Sequence, residues 1–106
     1  MKILLILLAL IIPANVFAEQ IAIVPGSANP TTTVFYSPSP VNVTIGTVVN
    51  WTNIDTTIHT VTNQTLGFDS NIIFPQKSFT HLFNQTGSYD YYCTLHPFMK
   101  GQINVQ

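Results

Sequence analysis

The stretch YDYYCTLHPFMKG, residues 89–101, carries the features that decide both the fold and the chemistry of this protein. Its first half repeats with a period of two, and the residues at alternate positions are Tyr89, Tyr91 and Cys93. This period is typical of a β-strand with one buried face. Its second half places three potential metal ligands at equal intervals, because two residues separate Cys93 from His96 and His96 from Met99. A tight loop after the strand can bring these three side chains together.

A fourth metal ligand has to come from elsewhere in the chain, and His59 is well placed for it. It follows the turn-like residues 53–57 and begins a short predicted strand. One thiolate, two imidazoles and a thioether suit copper, and a trigonal His₂Cys site with a weak axial Met is typical of blue-copper electron transfer. Met is a poor zinc ligand. His81 is the rival ligand, although its position between two Phe residues on a predicted strand also fits an ordinary core or edge histidine.

The rest of the chain also predicts short strands. Thr, Val, Ile, Phe and Tyr are frequent, Pro and Gly recur at short intervals, and no apolar period of 3.6 residues lasts for three turns. The predicted strands are residues 21–24, 34–36, 41–45, 49–51, 60–62, 78–83, 88–93 and 103–105. About eight short strands with frequent turns indicate an antiparallel β-sandwich. Residues 63–76 are the least regular and predict a loop or a single helical turn.

The N-terminus has the pattern of a secretory signal peptide. Met1 and Lys2 precede ten apolar residues at 3–12, and Ala18 supplies a small residue before Glu19. We therefore predict a signal peptide over residues 1–18 and one domain over residues 19–106. The apolar run is short for a membrane span, but an uncleaved anchor with membrane association is the alternative. The expected location is secreted, periplasmic or at the extracytoplasmic cell surface.

Length and composition exclude several classes of protein. A chain of 106 residues allows one small domain, which excludes a multidomain enzyme. With three Lys, no Arg and a formal charge of −1, it cannot form the basic patch of a nucleic-acid binder. The single cysteine excludes an intrachain disulfide, and metal ligation explains why a secreted protein would keep a free thiol. We expect a monomer whose docking surface is apolar.

Two regions of the sequence resemble the cupredoxins. GSYDYYC at residues 87–93 and CTLHPFM at residues 93–99 resemble the amicyanins most closely. VNVTIG at residues 41–46, VNWTN at residues 49–53 and His59 resemble the same family. The resemblance implies an all-β, Greek-key β-sandwich of about eight strands that binds one type 1 copper ion.

The resemblance also implies a role for each ligand. Cys93 is the thiolate that gives the blue colour, and His59 is the buried imidazole. His96 is the imidazole whose edge reaches solvent, so redox partner proteins would dock at the apolar surface around it. Met99 is the weak axial ligand.

Two positions depart from the family pattern. Thr60 stands where the family often has an Asn that ties the two ligand-bearing loops together. We expect the hydroxyls of Thr60 and Thr94 to replace that contact. Leu95 stands where the amicyanins have Pro, so it keeps a backbone N–H that can point at the Cys93 sulfur and raise the reduction potential.

These observations predict a small secreted one-electron carrier that is not an enzyme and has no small-molecule substrate. A copper storage or delivery protein on the same fold is the first alternative. A metal-free interaction domain on the same sandwich is the second. The length of the chain and the lack of spare histidines exclude a multicopper oxidase.

Overall fold

The computed structural model describes residues 19–106, and the predicted signal peptide at residues 1–18 lies outside them. The described chain forms eight strands that follow the alternating sequence patterns. They are β1 (Glu19–Ile23), β2 (Tyr36–Ser37), β3 (Val41–Val43), β4 (Thr47–Asn53), β5 (Thr62–Asn63), β6 (Ser78–Phe83), β7 (Gly87–Cys93) and β8 (His96–Val105). None of the described residues lies in a helix with the length and hydropathy of a membrane span.

The strands form two sheets of four. The first has the order β2-β1-β4-β6, and the second has the order β3-β8-β7-β5. This architecture confirms the predicted all-β sandwich of eight strands. The prediction of antiparallel pairing is wrong for two pairs, since β1–β4 and β3–β8 are parallel. In both pairs the chain between the strands is long enough for the crossover that parallel strands need.

The core lies between the two sheets and is rich in aromatic rings. Along β4 every second residue is buried, which points Val49 and Trp51 inward. The Trp51 ring is completely buried and packs with its centroid 5.4 Å from the Tyr91 ring of the facing sheet. Such aromatic pairs contribute about 0.5–1.5 kcal/mol beyond the burial of their surface. Trp51 therefore joins the two sheets at the centre of the molecule.

Strand boundaries near the predicted metal ligands differ from expectation. The predicted loop after Cys93 contains only Thr94 and Leu95, because β8 already begins at His96. The strand predicted at residues 60–62 is shorter and shifted, since β5 covers only Thr62–Asn63. His59 lies outside it and makes an isolated bridge to Ile73. Of residues 63–76, Asn63 belongs to β5, and the remainder is irregular, as predicted, and forms no helical turn. This segment nevertheless contributes Phe68 and Ile73 to the core, which fixes its path.

Candidate metal centre

Three predicted ligands meet at one end of the second sheet. Cys93 ends β7 and His96 begins β8, and the two residues face each other across the two-residue turn. His59 comes from the segment before β5. Its backbone is fixed by two hydrogen bonds, in which the Ile73 N–H donates to the His59 carbonyl at 2.8 Å and the His59 N–H donates to the Ile73 carbonyl at 3.3 Å.

The spacing of the donor atoms fits a single metal ion. The Cys93 Sγ atom lies 3.7 Å from His59 Nδ1 and 3.6 Å from His96 Nδ1. All three ligand atoms lie within 4.8 Å of one another. A sulfur and a nitrogen about 2.3 and 2.0 Å from one ion, in a trigonal plane, are themselves about 3.7 Å apart. The spacing of these donor atoms is that expected of a trigonal Cys-His-His site.

Met99 lies near this cluster and is completely buried. Its position on β8, three residues after His96, places it in the same core cluster as Cys93. The donor set available at this end of the sandwich is thus one thiol, two imidazoles and one thioether.

The surroundings of Cys93 favour its thiolate. Burial by itself raises the pKa of a thiol, but the neighbouring His59 and His96 rings and the N–H groups of Thr60 and Leu95 outweigh it and lower the pKa of Cys93 to about 6. The Thr60 N–H donates to Sγ at 3.4 Å. The thiolate is the form that binds metals, so the protein provides a ligand that is ready at neutral pH.

Thr60 links the two segments that carry the predicted ligands, as expected from the sequence. Its buried hydroxyl accepts a hydrogen bond from the Thr94 N–H at 2.9 Å and lies 3.3 Å from the Thr94 hydroxyl. Its carbonyl accepts a hydrogen bond from the Tyr36 hydroxyl at 2.8 Å. The Thr60 hydroxyl therefore contacts both the backbone N–H and the hydroxyl of Thr94 and links the two segments.

Replacing Thr60 with Val should lower the free energy of unfolding by about 1–3 kcal/mol, because it leaves polar partners of a buried hydroxyl unsatisfied. Urea unfolding of the metal-free protein measures this loss. Thr86→Val, at an exposed loop position, is the matched control and should stay within about 0.5 kcal/mol of the wild type. Equal stability of the two variants would show that the Thr60–Thr94 link contributes nothing.

Asp55 and Ser27 belong to the site, although sequence reasoning missed both. The Asp55 carboxylate lies 2.8 Å from His59 Nε2, and the Ser27 hydroxyl lies 3.3 Å from the same atom. Desolvation opposes the charge on each partner of the Asp55–His59 pair. The hydrogen bond between them nevertheless helps to lower the pKa of Asp55, and together with Cys93 it raises the pKa of His59. Asp55 lies only four residues before His59, so its closeness in the sequence could have pointed to it. Nothing in the sequence points to Ser27, which is 32 residues away.

His81, the rival ligand, lies away from the cluster. It is on β6, and its ring packs 4.7 Å from the Phe68 ring and 4.8 Å from the Phe83 ring, measured between centroids. Burial lowers its pKa. These contacts agree with the interpretation of His81 as a packed histidine at the edge of the core.

The His96 side of the site reaches the protein surface. His96 is half-buried, while Leu95 and Pro97 on either side of it are exposed. The Phe98 ring lies 6.1 Å from the His96 ring and 5.6 Å from the Phe35 ring. Apolar side chains therefore surround the one imidazole of the cluster that solvent can reach.

Comparison with known proteins yields one family and several relatives. The sequence model of a family described as "Cupredoxin-like domain" matches residues 3–105. Amicyanin-alpha of Methylorubrum extorquens is 35% identical over 77 residues, which cover 68% of this chain and 64% of that protein. Amicyanin of Paracoccus versutus is 33% identical over 76 residues, which cover 67% of this chain and 58% of that protein. The matched region thus spans less than two thirds of the length of these relatives.

Solved structures give the same result for the fold. A purple cupredoxin from Nitrosopumilus maritimus superposes with a TM-score of 0.78 at 33% identity, covering 83% of this chain and 99% of that one. The Cu(I) form of an amicyanin mutant superposes with a TM-score of 0.66 at 25% identity, covering 83% of this chain and 81% of that one.

Proposed function

The chain belongs to the cupredoxin-like family, and from that membership we propose that it is a type 1 copper protein that carries single electrons between redox partners. Copper is the cofactor of this family, and the cluster of His59, Cys93 and His96 with Met99 nearby is typical of a type 1 site. These four residues are the proposed ligands. The observation that carries it is the position of the Cys93 sulfur, 3.6–3.7 Å from one nitrogen of each histidine.

The surroundings of the four side chains support electron transfer over other uses of the metal. Copper, when bound, supplies a one-electron couple between Cu(I) and Cu(II). The chain's own contacts hold the donor atoms in place: the Thr60–Thr94 link joins the two segments that carry the proposed ligands, and Met99 is completely buried in the core. Ligands that move little between the two oxidation states favour rapid electron exchange.

Electrons would enter and leave through the exposed edge of His96. The apolar surface around it, formed by Leu95, Pro97 and Phe98, suits brief docking of a redox partner, since small interfaces of this kind release quickly. We propose that the protein is a monomer with no small-molecule substrate and is not an enzyme. We also propose that residues 1–18 act as a signal peptide and that the domain at 19–106 works outside the cytoplasm.

A visible absorption spectrum of the Cu(II)-loaded protein, followed by voltammetry, tests this function. We expect an intense band near the red end of the spectrum and a reversible one-electron response. If the protein did not bind copper in a stoichiometric ratio, the proposal would be contradicted and the metal-free interaction domain would be favoured. A copper storage or delivery protein would surrender the metal readily to a chelator, whereas a carrier should lose it very slowly.

Replacing Leu95 with Pro should lower the reduction potential, because it removes the backbone N–H that stabilises the Cys93 thiolate. A hydrogen bond to a charged group contributes about 1.5–3 kcal/mol, and a tenfold change in a one-electron equilibrium is about 59 mV. The full value of such a bond corresponds to about 65–130 mV, so we expect voltammetry to show a fall of up to about that size. Leu95→Ala keeps the N–H and should keep the potential, and an unchanged potential in Leu95→Pro would contradict this role.

A further inference from the structure

Asp55 is a buried acid that none of the four ligand assignments requires. Only 5% of the surface of Asp55 is exposed, and its two carboxylate oxygens face different partners. Oδ1 accepts hydrogen bonds from the Thr56 N–H at 2.8 Å and the Gly26 N–H at 3.1 Å. Oδ2 lies 2.8 Å from His59 Nε2. Because an ionised carboxylate can only accept, the proton of this bond belongs to His59 Nε2.

The loop around Asp55 is fixed from several directions. The Asp55 N–H donates to Asn53 Oδ1 at 2.9 Å, and the completely buried Asn53 amide donates to the Thr57 and Ile73 carbonyls, each at 2.9 Å. Ile73 is the residue whose backbone holds His59. The same network therefore sets the positions of both the carboxylate and the imidazole.

A turn from a distant part of the chain closes the pair off from solvent. Gly26 has a φ of +82°, a conformation that favours glycine, and this turn directs its N–H at Asp55. The next residue, Ser27, is completely buried and lies against His59 Nε2. In the described part of the chain, His59 is the only basic group within ion-pair distance of Asp55, so no lysine neutralises the carboxylate.

We propose that Asp55 is a positioning residue that holds the proton of His59 on Nε2, so that the Nδ1 lone pair faces the Cys93 sulfur, and that its charge lowers the reduction potential. This inference rests on the proposed function, because it takes His59 as a ligand. A carboxylate that accepts the outer N–H of a ligating histidine fixes the ring and makes it a stronger donor. A stronger donor beside a buried negative charge stabilises Cu(II) more than Cu(I), which lowers the potential.

An amide at position 55 would reverse this arrangement. Two backbone N–H groups point at Oδ1, so the amide oxygen of an Asn has to occupy that position. Its NH₂ group then faces His59 Nε2 and donates to it. The histidine proton then favours Nδ1, and a metal that binds at this atom has to displace it, which weakens the affinity.

The test compares the full chain with its Asp55→Asn variant in two measurements. The first is the affinity for Cu(II) and for Cu(I), which we expect to fall by about 10–100-fold in Asp55→Asn. We expect the affinity for Cu(II) relative to Cu(I) to fall about tenfold, which raises the potential by about 59 mV. The second measurement is ¹⁵N NMR of the protein loaded with diamagnetic Zn(II). The wild type should show a slowly exchanging His59 Nε2–H, and in the variant this proton should exchange faster or be absent. Asp90→Asn removes an exposed carboxylate on β7 and should leave both measurements unchanged.

Each outcome separates this proposal from the function on which it rests. A wild type with no type 1 band overturns the proposed function. A wild type with the band, combined with an unchanged potential in Asp55→Asn, overturns only the role of Asp55. If Asp55→Asn fails to fold, the wild-type NMR spectrum decides, because a His59 Nε2 without a slowly exchanging proton contradicts the proposal.

Discussion

The Cys93→Ser variant should lose the intense visible band completely while its metal-free form keeps the β-sandwich. Cys93 supplies the only sulfur anion among the four proposed ligands, and its pKa of about 6 makes it a thiolate at neutral pH. A serine hydroxyl stays protonated there and gives no such absorption. Removing a group that hydrogen-bonds to a metal ligand typically lowers metal affinity by about 10–100-fold. Removing the ligand itself should lower the affinity further. Absorption spectroscopy and competition with a copper chelator measure both effects.

Thr94→Ser is the matched control for this experiment, since it lies next to Cys93 and keeps both its hydroxyl and the N–H that donates to Thr60. It should retain the band. Circular dichroism of the metal-free proteins should show the same β-sheet signal for both variants, because the substituted sulfur is one small part of a core that spans two sheets. A Cys93→Ser protein that still absorbs strongly in the visible would mean that the thiolate is not a ligand.

The presence of the strands could be predicted because the alternation of buried and exposed side chains is a local property of the sequence. In β4, β6 and β7 the inward residues stand at every second position, so the sequence alone indicates which faces are buried. The pairing of these strands depends on contacts between distant segments. Nothing in β1 or β4 marks them as parallel partners, and their register, Ile21 opposite Trp51, emerges only when both sheets close over the same core.

The candidate metal centre likewise combines a local sequence motif with contacts from distant parts of the chain. Cys93, His96 and Met99 form a motif with regular spacing, and copper chemistry follows from the residue types. The contacts of His59 with Asp55 and Ser27 could not be predicted in the same way. Ser27 is 32 residues away in the chain and reaches His59 through a turn with no motif of its own. The residues that tune a site are harder to find than its ligands, because many side chains can accept a hydrogen bond.

Replacing Gly101 with Ala should lower the free energy of unfolding by about 1–3 kcal/mol, the usual effect of overpacking a core. Gly101 on β8 pairs with Tyr91 on β7, and a methyl group on its Cα would lie 2.6 Å from Tyr91 Cε1 and 2.5 Å from the Tyr91 hydroxyl oxygen. The Tyr91 ring cannot move away easily. Its centroid lies 4.8 Å from the Tyr36 ring and 5.4 Å from the Trp51 ring.

The strain in Gly101→Ala would act close to the site, because Tyr91 is two residues from Cys93 and Gly101 is two residues from Met99. Urea unfolding of the metal-free protein isolates the effect on the fold, since a ligand that binds only the folded state adds its own stabilisation. Lys100→Ala, at the exposed neighbouring position, is the control and should change stability by no more than about 0.5 kcal/mol. In a Tyr91→Leu background the effect of Gly101→Ala should shrink, because the ring that the methyl group meets is gone. An equal loss in both backgrounds would place the strain somewhere other than the Tyr91 ring.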